Sequence, residues 1–206
     1  MSAKILLATH NKGKVLEFRR MFDQVTLSVC SLSDLGISDS IPEDGDTLKA
    51  NALAKALGYA RRAGLPTISD DSGLEVDALG GAPSVRSARF AGEHASDAEN
   101  NAKLLGMLGS RQDRKARFRC VLCFVDPGRS AEDPVAYAEG VCEGRILLEP
   151  GGSGGFGYDP IFQPDGKERS MAALPAAEKN QISHRAAAFR VMKETLQGYF
   201  VLQNLS

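Results

Sequence analysis

The stretch TLKANALAKALGYARRAGLPTISDDSGLEV, from Thr47 to Val76, decides the fold. Its first part predicts a helix over Thr47–Ala63, because Thr47 can cap the first turn and good helix formers fill the interior. Gly64 and Pro66 end that helix, since glycine suits the turn after a helix and proline cannot continue one. The remainder predicts a strand, a tight turn at Asp71-Ser72-Gly73 and a second strand.

Helices and strands are mixed in the same way along the whole chain. An α/β or α+β domain with a mixed β-sheet and flanking helices follows, as one domain over residues 1–206 with two lobes around a cleft. The other predicted elements are strands over Lys4–Thr9, Val25–Leu32, Arg117–Val125 and Val135–Leu148, helices over Asn11–Phe22, Ser96–Leu108 and Ser183–Leu202, and a loop over Asp34–Asp46.

The composition is ordinary for a soluble globular protein, with 43% hydrophobic and 25% charged residues among 206. A net charge of −1 gives no general attraction to nucleic acid or to an anionic membrane, so neither is an expected partner. No apolar run approaches the roughly 18 residues of a membrane span, and the first residues lack a signal-peptide pattern. The expected location is the cytoplasm, where the four cysteines stay reduced.

The segment ATHNKGK, from Ala8 to Lys14, follows an apolar strand and opens a helix. A helix N-terminus offers free backbone N–H groups and a partial positive charge, so it attracts anions. Lys12 and Lys14 add full charges, while Thr9 and Asn11 can donate hydrogen bonds. This pattern indicates a phosphate site, and the alternative is a solvated turn with surface lysines. The P-loop pattern G-x-x-x-x-G-K-[ST] is absent from the sequence, which disfavours a P-loop ATPase or GTPase.

Two adjacent carboxylates, Asp70 and Asp71, lie at the predicted strand end, where α/β proteins place ligands. A hard cation such as Mg²⁺ prefers carboxylate oxygens together with substrate phosphates. Glu43, before the long helix, is a candidate second ligand. Asn51 and Lys55 are four residues apart on that helix and share a face. The alternative is that both aspartates are turn formers that bond their own backbone.

The loop GGSGGFGYDP, Gly151 to Pro160, lets a backbone approach a flat or charged ligand closely. Phe156 and Tyr158 can stack on a base, and Asp159 can accept from a ring N–H. A flexible connection is the alternative, although linkers seldom hold such side chains among their glycines.

The segment EKNQISHRAAAF places Lys179, His184 and Arg185 at or near a helix start. Arg185 can donate hydrogen bonds to a carbonyl or phosphate oxygen. The alternative is that His184 and Arg185 are ordinary surface residues at a helix start.

Five segments stand in the order ATHNKGK, EDGDTLKANALAKA, DDSGLEVDALGGAPSVRSARFAG, GGFGYDPIF and EKNQISHRAAAF. Together they resemble the inosine triphosphate pyrophosphatase family, from Ile5 to the final helix. The resemblance implies an elongated α/β domain with a long mixed β-sheet, two lobes around a nucleotide cleft and a homodimer. It also implies Mg²⁺-dependent hydrolysis of ITP, dITP and XTP to the monophosphate and pyrophosphate, which clears deaminated purines from the nucleotide pool.

The resemblance further implies roles for individual residues. Glu43 and Asp71 are expected to hold the metal, and Asp71 is also the expected catalytic proton acceptor. The expected substrate-binding residues are Thr9, His10, Asn11, Lys12, Gly13, Lys14, Ser72, Phe156, Gly157, Tyr158, Asp159, Lys179, His184 and Arg185.

Two positions depart from the family pattern. His10 stands where glycine is frequent, and Ala50 stands where an acidic residue is frequent. Without that carboxylate, Asp70 or Glu75 is a candidate for an additional metal ligand. Whether Asp70 or Asp71 is the base, and which of ITP, dITP and XTP is preferred, stays open.

Two other functions compete with this prediction. A related pyrophosphatase for pyrimidine nucleotides is disfavoured by the segments SHR and GGFGYD. A nucleotide-binding regulator without catalysis is disfavoured by the presence of Glu43, Asp71 and the two lysines of ATHNKGK.

Overall fold

The computed structural model describes residues 4–23, 25, 27–128 and 136–203. Strands and helices are mixed along this part of the chain, as the sequence predicts. The strands are Lys4–Ala8 (β1), Ser28–Ser31 (β2), Thr67–Val76 (β3), Lys115–Val125 (β4), Ala136–Ile146 (β5) and Phe162–Pro164 (β6). The α-helices are Lys12–Phe22 (α1), Leu48–Ala63 (α2), Asp97–Leu108 (α3), Ala176–Ile182 (α4) and His184–Gln203 (α5).

The described strands form one sheet in the order β2-β1-β3-β4-β5-β6. β1 pairs in parallel with β2 and β3, whereas β5 and β6 are antiparallel, so the sheet is mixed. β1 is buried along Ile5–Ala8, as expected for a parallel strand that is covered on both faces. The predicted α/β fold with a mixed sheet is therefore confirmed.

The chain divides into two compact units, and the strands β3, β4 and β5 each contribute residues to both units. The first unit comprises Met1–Asp71, Val121–Gly140 and Ala186–Ser206, and the second comprises Ser72–Cys120 and Val141–Arg185. One core cluster of the first unit is built from Leu6, Ala8, Cys30, Leu32 and Tyr59. The core of the second is built from Leu74, Val76, Leu104, Leu108, Ala116, Phe118, Cys142, Ile146, Tyr158, Ile161, Phe162, Met171 and Leu174. That residues 1–206 form a single domain stays a prediction.

The helix ends agree with the local signals in the sequence. The Thr47 side chain accepts a hydrogen bond from the Ala50 amide at 3.1 Å and caps α2. Gly64 follows that helix in the left-handed conformation, with φ of 62°. Ser96 and Glu99 form the predicted capping box of α3. These signals succeed because they depend on neighbouring residues only.

The predicted tight turn at Asp71-Ser72-Gly73 is wrong, because β3 runs through all three residues. A Cβ atom on Gly73 would lie 2.4 Å from the Ser84 carbonyl oxygen. The glycine therefore permits close approach of another backbone segment, which is one reason for glycine within a strand.

Smaller differences concern element bounds and short elements. The strand predicted over Val25–Leu32 is shorter, and Thr26 lies outside the described residues, as does Val135 of another predicted strand. β6 and α4 were not predicted. A short 3₁₀ helix, Ser33–Leu35, overlaps the start of the predicted loop at Asp34–Asp46.

Two further observations bear on the expected class of protein. All four cysteines carry free, buried thiols. Among the described residues, no helix combines the length and apolar character needed to cross a membrane.

Candidate active site

The turn from β1 into α1 is held by its own polar side chains. Asn11 caps α1 by accepting a hydrogen bond from the Lys14 amide at 3.0 Å. Thr9 Oγ1 accepts from the Asn11 amide at 3.2 Å. His10 Nε2 lies 3.1 Å from the Tyr59 hydroxyl and 3.2 Å from a backbone carbonyl oxygen. The turn is therefore fixed in shape, with Lys12 exposed at the first helical position.

Two buried carboxylates follow each other on β3, and each meets a lysine from a different helix. Successive side chains of a strand point to opposite faces. Asp70 pairs with Lys14 of α1, and Asp71 accepts from Lys55 Nζ of α2 at 2.8 Å. Asp70 is 1% exposed and Asp71 is 7% exposed. Such burial of adjacent charges is tolerated because each has a cationic partner.

Lys55 joins the two predicted metal ligands. Its Nζ donates to Glu43 Oε2 at 2.6 Å as well as to Asp71. Burial opposes its protonation, but attraction to Asp71 and Glu43 outweighs burial and raises the pKa of Lys55. The structure therefore brings Glu43 and Asp71 together around one ammonium group.

The two carboxylates differ in proton affinity. Burial raises the pKa of Asp71 to about 6, although Lys55 and Lys14 oppose this effect. Burial also disfavours the charged form of Glu43, but attraction to Lys55 and hydrogen bonds with Asp71 and Lys55 keep the pKa of Glu43 below its usual value. When the pair holds one proton, it resides on Asp71.

In the second unit, Asp159 fixes the glycine-rich loop. Its Oδ2 accepts from the Phe156 amide at 2.9 Å and from Lys179 Nζ at 2.5 Å. Gly155 has φ of +74°, and a Cβ there would lie 2.1 Å from Asp159 Oδ2. Glycine is thus required for the carboxylate to reach the loop backbone.

Two buried cations accompany the Phe156 ring. Lys179 Nζ lies 4.8 Å and Arg185 Cζ 5.7 Å from the ring centroid. Arg185, 1% exposed, also donates from Nη2 to Ser72 Oγ at 3.3 Å. Both cations thus lie over the Phe156 ring, in the arrangement that favours a cation–π interaction.

Two predicted substrate contacts pack within the second unit. Tyr158 is buried in its core, and the hydroxyl donates to the Ser87 carbonyl oxygen at 2.9 Å. The His184 ring stacks on Phe118 with centroids 4.7 Å apart. Phe156 is therefore better placed than Tyr158 to contact a base, and the roles of Tyr158 and His184 stay predictions.

The structure adds two residues that the sequence did not single out. Asp97 Oδ2 accepts from the Gly157 amide at 2.6 Å, and Asn101 Nδ2 donates to the Gly157 carbonyl oxygen at 3.1 Å. Both lie on α3, four residues apart. The signal in the sequence is a pair of polar residues with helical spacing near the start of the predicted helix. Such a pair does not identify the residue that it contacts. Glu75, a candidate metal ligand, instead accepts from Arg119 at 3.0 Å.

The mixed sheet and its flanking helices place this protein in the α/β class of folds. The chain belongs to the Ham1 family, whose model matches residues 5–195. The dITP/XTP pyrophosphatase of Desulforamulus reducens is 46% identical over 205 residues, which cover 98% of this chain and 100% of the relative. That of Shigella flexneri is 46% identical over 197 residues, covering 94% and 98%.

Solved structures give the same result. The Ham1 protein of Staphylococcus aureus is 38% identical with a TM-score of 0.82, over 95% of this chain and 99% of that one. A Ham1 protein from Coxiella burnetii is 38% identical with a TM-score of 0.83 over the same shares. The resemblance inferred from the five segments is confirmed.

Proposed function

We propose that this protein hydrolyses non-canonical purine nucleoside triphosphates, namely ITP, dITP and XTP, to the monophosphate and pyrophosphate. It is a hydrolase that removes deaminated purines from the nucleotide pool. The observation that carries the proposal is the pair of buried aspartates on β3, each matched by a lysine, because triphosphate hydrolysis needs both acidic and cationic groups. The names of the relatives supply the substrate class.

Residues Thr9 to Lys14 bind the triphosphate in this proposal. The first turn of α1 presents backbone N–H groups, and Lys12 adds an exposed charge. Lys14 is held beside Asp70, which orients its ammonium group without removing its charge. The Asn11 cap uses the carboxamide oxygen, which leaves its NH₂ group as a donor for a phosphate oxygen.

Glu43 and Asp71 are proposed to hold Mg²⁺, and their chemistry fits that ion. Among the described residues, no group of three His, Cys, Asp or Glu side chains forms a ready metal cage. A pair of carboxylates suits Mg²⁺, which commonly takes one or two carboxylates and completes its coordination with water and substrate phosphates. When bound, the ion would neutralise part of the negative charge on the pyrophosphate leaving group.

Asp71 is proposed to orient and deprotonate the water that attacks the α-phosphorus. A pKa of about 6 leaves its carboxylate largely ionised at neutral pH, yet more basic than an ordinary aspartate. Lys55 keeps the carboxylate in place through its hydrogen bond to Oδ1. Asp70, paired with Lys14, remains the alternative base.

The residues around Phe156 are proposed to select the base. The ring stacks on the purine, while Arg185 donates to the 6-keto oxygen of hypoxanthine or xanthine. Adenine carries a 6-amino group there, which is a donor and cannot accept a hydrogen bond from Arg185. Such a mismatch can lower kcat/KM roughly ten-thousandfold relative to the matched base. Guanine shares the keto group, so its 2-amino group must be rejected near the Phe156 loop. Gly157, Ser72, Lys179 and His184 are proposed as further substrate contacts.

A cytoplasmic location and a homodimer are also proposed, the first from the sequence and the second from the resemblance. Purified protein with MgCl₂ should release pyrophosphate from ITP, dITP and XTP, at a kcat/KM far above that for ATP. Release of inorganic phosphate alone would identify a phosphohydrolase, and release of neither would identify a binding protein. Equal kcat/KM for ATP and ITP would contradict the role of Arg185.

A further inference from the structure

Asn51 of α2 connects the segment that carries Glu43 to the carboxylate of Asp71. Its side chain is 1% exposed. The Oδ1 atom accepts from the Gly45 amide at 2.8 Å, and Nδ2 donates to Asp71 Oδ2 at 3.3 Å. A buried amide is therefore hydrogen-bonded to two groups on opposite sides.

These two partners allow one orientation of the Asn51 amide. The backbone N–H of Gly45 needs an acceptor, and the Asp71 carboxylate needs a donor. Rotation of the amide by 180° would place oxygen against carboxylate and NH₂ against N–H. Both hydrogen bonds would be lost in a buried environment, so the side chain has a fixed direction.

The contact with Gly45 leaves no spare room. A Cβ on Gly45 would lie 2.7 Å from Asn51 Oδ1 and 2.8 Å from the Ala50 Cβ. Gly45 follows Glu43 by two residues, so this contact also limits where Glu43 can lie.

Lys55 lies one helical turn beyond Asn51 on the same face of α2. It joins Glu43 to Asp71 through its charge, whereas Asn51 joins Gly45 to Asp71 through a neutral amide. Asp71 thus receives one donor on each oxygen, which fixes the plane of the carboxylate as well as its position.

We propose that Asn51 is a positioning residue, which sets the direction of the Asp71 carboxylate and the placement of Glu43 relative to it. The inference rests on the proposed function, in which these two residues hold Mg²⁺ and Asp71 activates water. In this role Asn51 acts through its hydrogen bonds to Asp71 and Gly45 and not as a ligand of the metal. Loss of such a supporting hydrogen bond typically costs 10- to 100-fold in metal affinity or activity.

The test compares the full-length wild type with Asn51→Ala. The variant should show a kcat for ITP lowered about 10- to 100-fold and a half-saturating Mg²⁺ concentration raised at least about tenfold. The KM for ITP at saturating Mg²⁺ should change less than about threefold, because other residues bind the substrate. In the metal-free protein, hydrogen exchange at the Gly45 amide should accelerate, since its acceptor is gone.

Asn100→Ala provides a matched control. Asn100 is 2% exposed, and its side chain also makes two hydrogen bonds, to the Ala91 amide and the Ala88 carbonyl oxygen. This control should lose a similar amount of thermal stability. It should leave the Mg²⁺ dependence and the exchange of the Gly45 amide unchanged.

A second variant, Asn51→Asp, separates the two hydrogen bonds and decides the outcome if the alanine variant does not fold. The carboxylate can still accept from Gly45, so that amide should stay protected. It can no longer donate to Asp71 and places a like charge there, so kcat should still fall at least about tenfold.

The outcomes distinguish this inference from the proposed function. If the wild type releases no pyrophosphate with MgCl₂, the proposed function fails. If the wild type is active but both Asn51 variants match Asn100→Ala in kcat and Mg²⁺ dependence, positioning by Asn51 is refuted and the proposed function stands.

Discussion

Replacing Asp71 by asparagine should stabilise the metal-free protein at neutral pH while removing most of its activity. Burial raises the pKa of Asp71 to about 6 from an ordinary value of 3.8, even with Lys55 and Lys14 nearby. The folded protein therefore disfavours the charged form. Asparagine is neutral and of similar shape, so it avoids that cost but cannot accept a proton from water.

The magnitude follows from the pKa difference between the folded and unfolded states. The pKa of Asp71 differs by about 2 between the two states, and each pKa unit corresponds to about 1.4 kcal/mol. The upper limit on the stability gained by the variant is therefore about 3 kcal/mol. Because the folded-state pKa is the higher one, wild-type stability declines as the pH rises from about 4 to about 6. The asparagine variant lacks this decline. The stability of the variant relative to the wild type should thus be unchanged below about pH 4. Above about pH 6 the full difference should appear, as a rise of roughly 6–12 °C in melting temperature.

The assay is thermal unfolding in the presence of a chelator, from pH 3.5 to pH 8, followed by circular dichroism. Glu43→Gln is the control of opposite sign, since the pKa of Glu43 is lowered and its charged form is favoured. That variant should lose stability above about pH 4.5 and match the wild type at lower pH. Turnover of ITP by Asp71→Asn should fall at least about a hundredfold.

Two results would each refute part of this reasoning. A melting temperature for Asp71→Asn at pH 7 that is equal to or below that of the wild type would show that Asp71 is stabilised as a charge, contrary to the effect of burial. Near-normal turnover with the fold intact would show that another group, with Asp70 first among the candidates, accepts the proton.

Three further substitutions test other parts of the site. Lys14→Met should raise the KM for ITP at least about tenfold and lower the melting temperature, because a cation beside buried Asp70 is lost; steady-state kinetics and melting curves measure both. Arg185→Lys should lower the ratio of kcat/KM for ITP to that for ATP at least about tenfold, since lysine lacks the planar fork of donors; an unchanged ratio would exclude Arg185 from base selection. Gly155→Ala should cost about 1–3 kcal/mol in chemical denaturation and raise the KM, because the new Cβ would collide with Asp159; a variant as stable as the wild type would contradict the loop geometry.

Local sequence signals determined most of the secondary structure. The cap at Thr47, the stop at Gly64 and the capping box at Ser96 depend on residues within one turn, so the bounds of α2 and α3 could be predicted closely. The mixed sheet followed from the alternation of helices and strands. The five segments and their order also indicated the family, because a constellation of short motifs is specific where each motif alone is weak.

The sequence also named most residues of the candidate site, but it could not assign their contacts. Asp70 and Asp71 are neighbours with the same side chain, and nothing local distinguishes them. Only the packing of α1 and α2 decides that Lys14 meets Asp70 while Lys55 joins Asp71 to Glu43. The raised pKa of Asp71 is a consequence of that burial, and burial is a property of the folded chain.

The difference between local and tertiary information is clearest at Gly73. From the sequence, Gly73 after two aspartates predicts a turn, because glycine relieves local backbone strain. In the structure, the strand continues and the glycine makes room for the backbone of Ser84, eleven residues further along the chain. The residues on either side of Gly73 hold no information about that neighbour. The sequence by itself therefore determined where helices begin and end and which chemical groups are available, whereas the tertiary structure decided which of those groups meet, since their contacts join residues far apart in the chain.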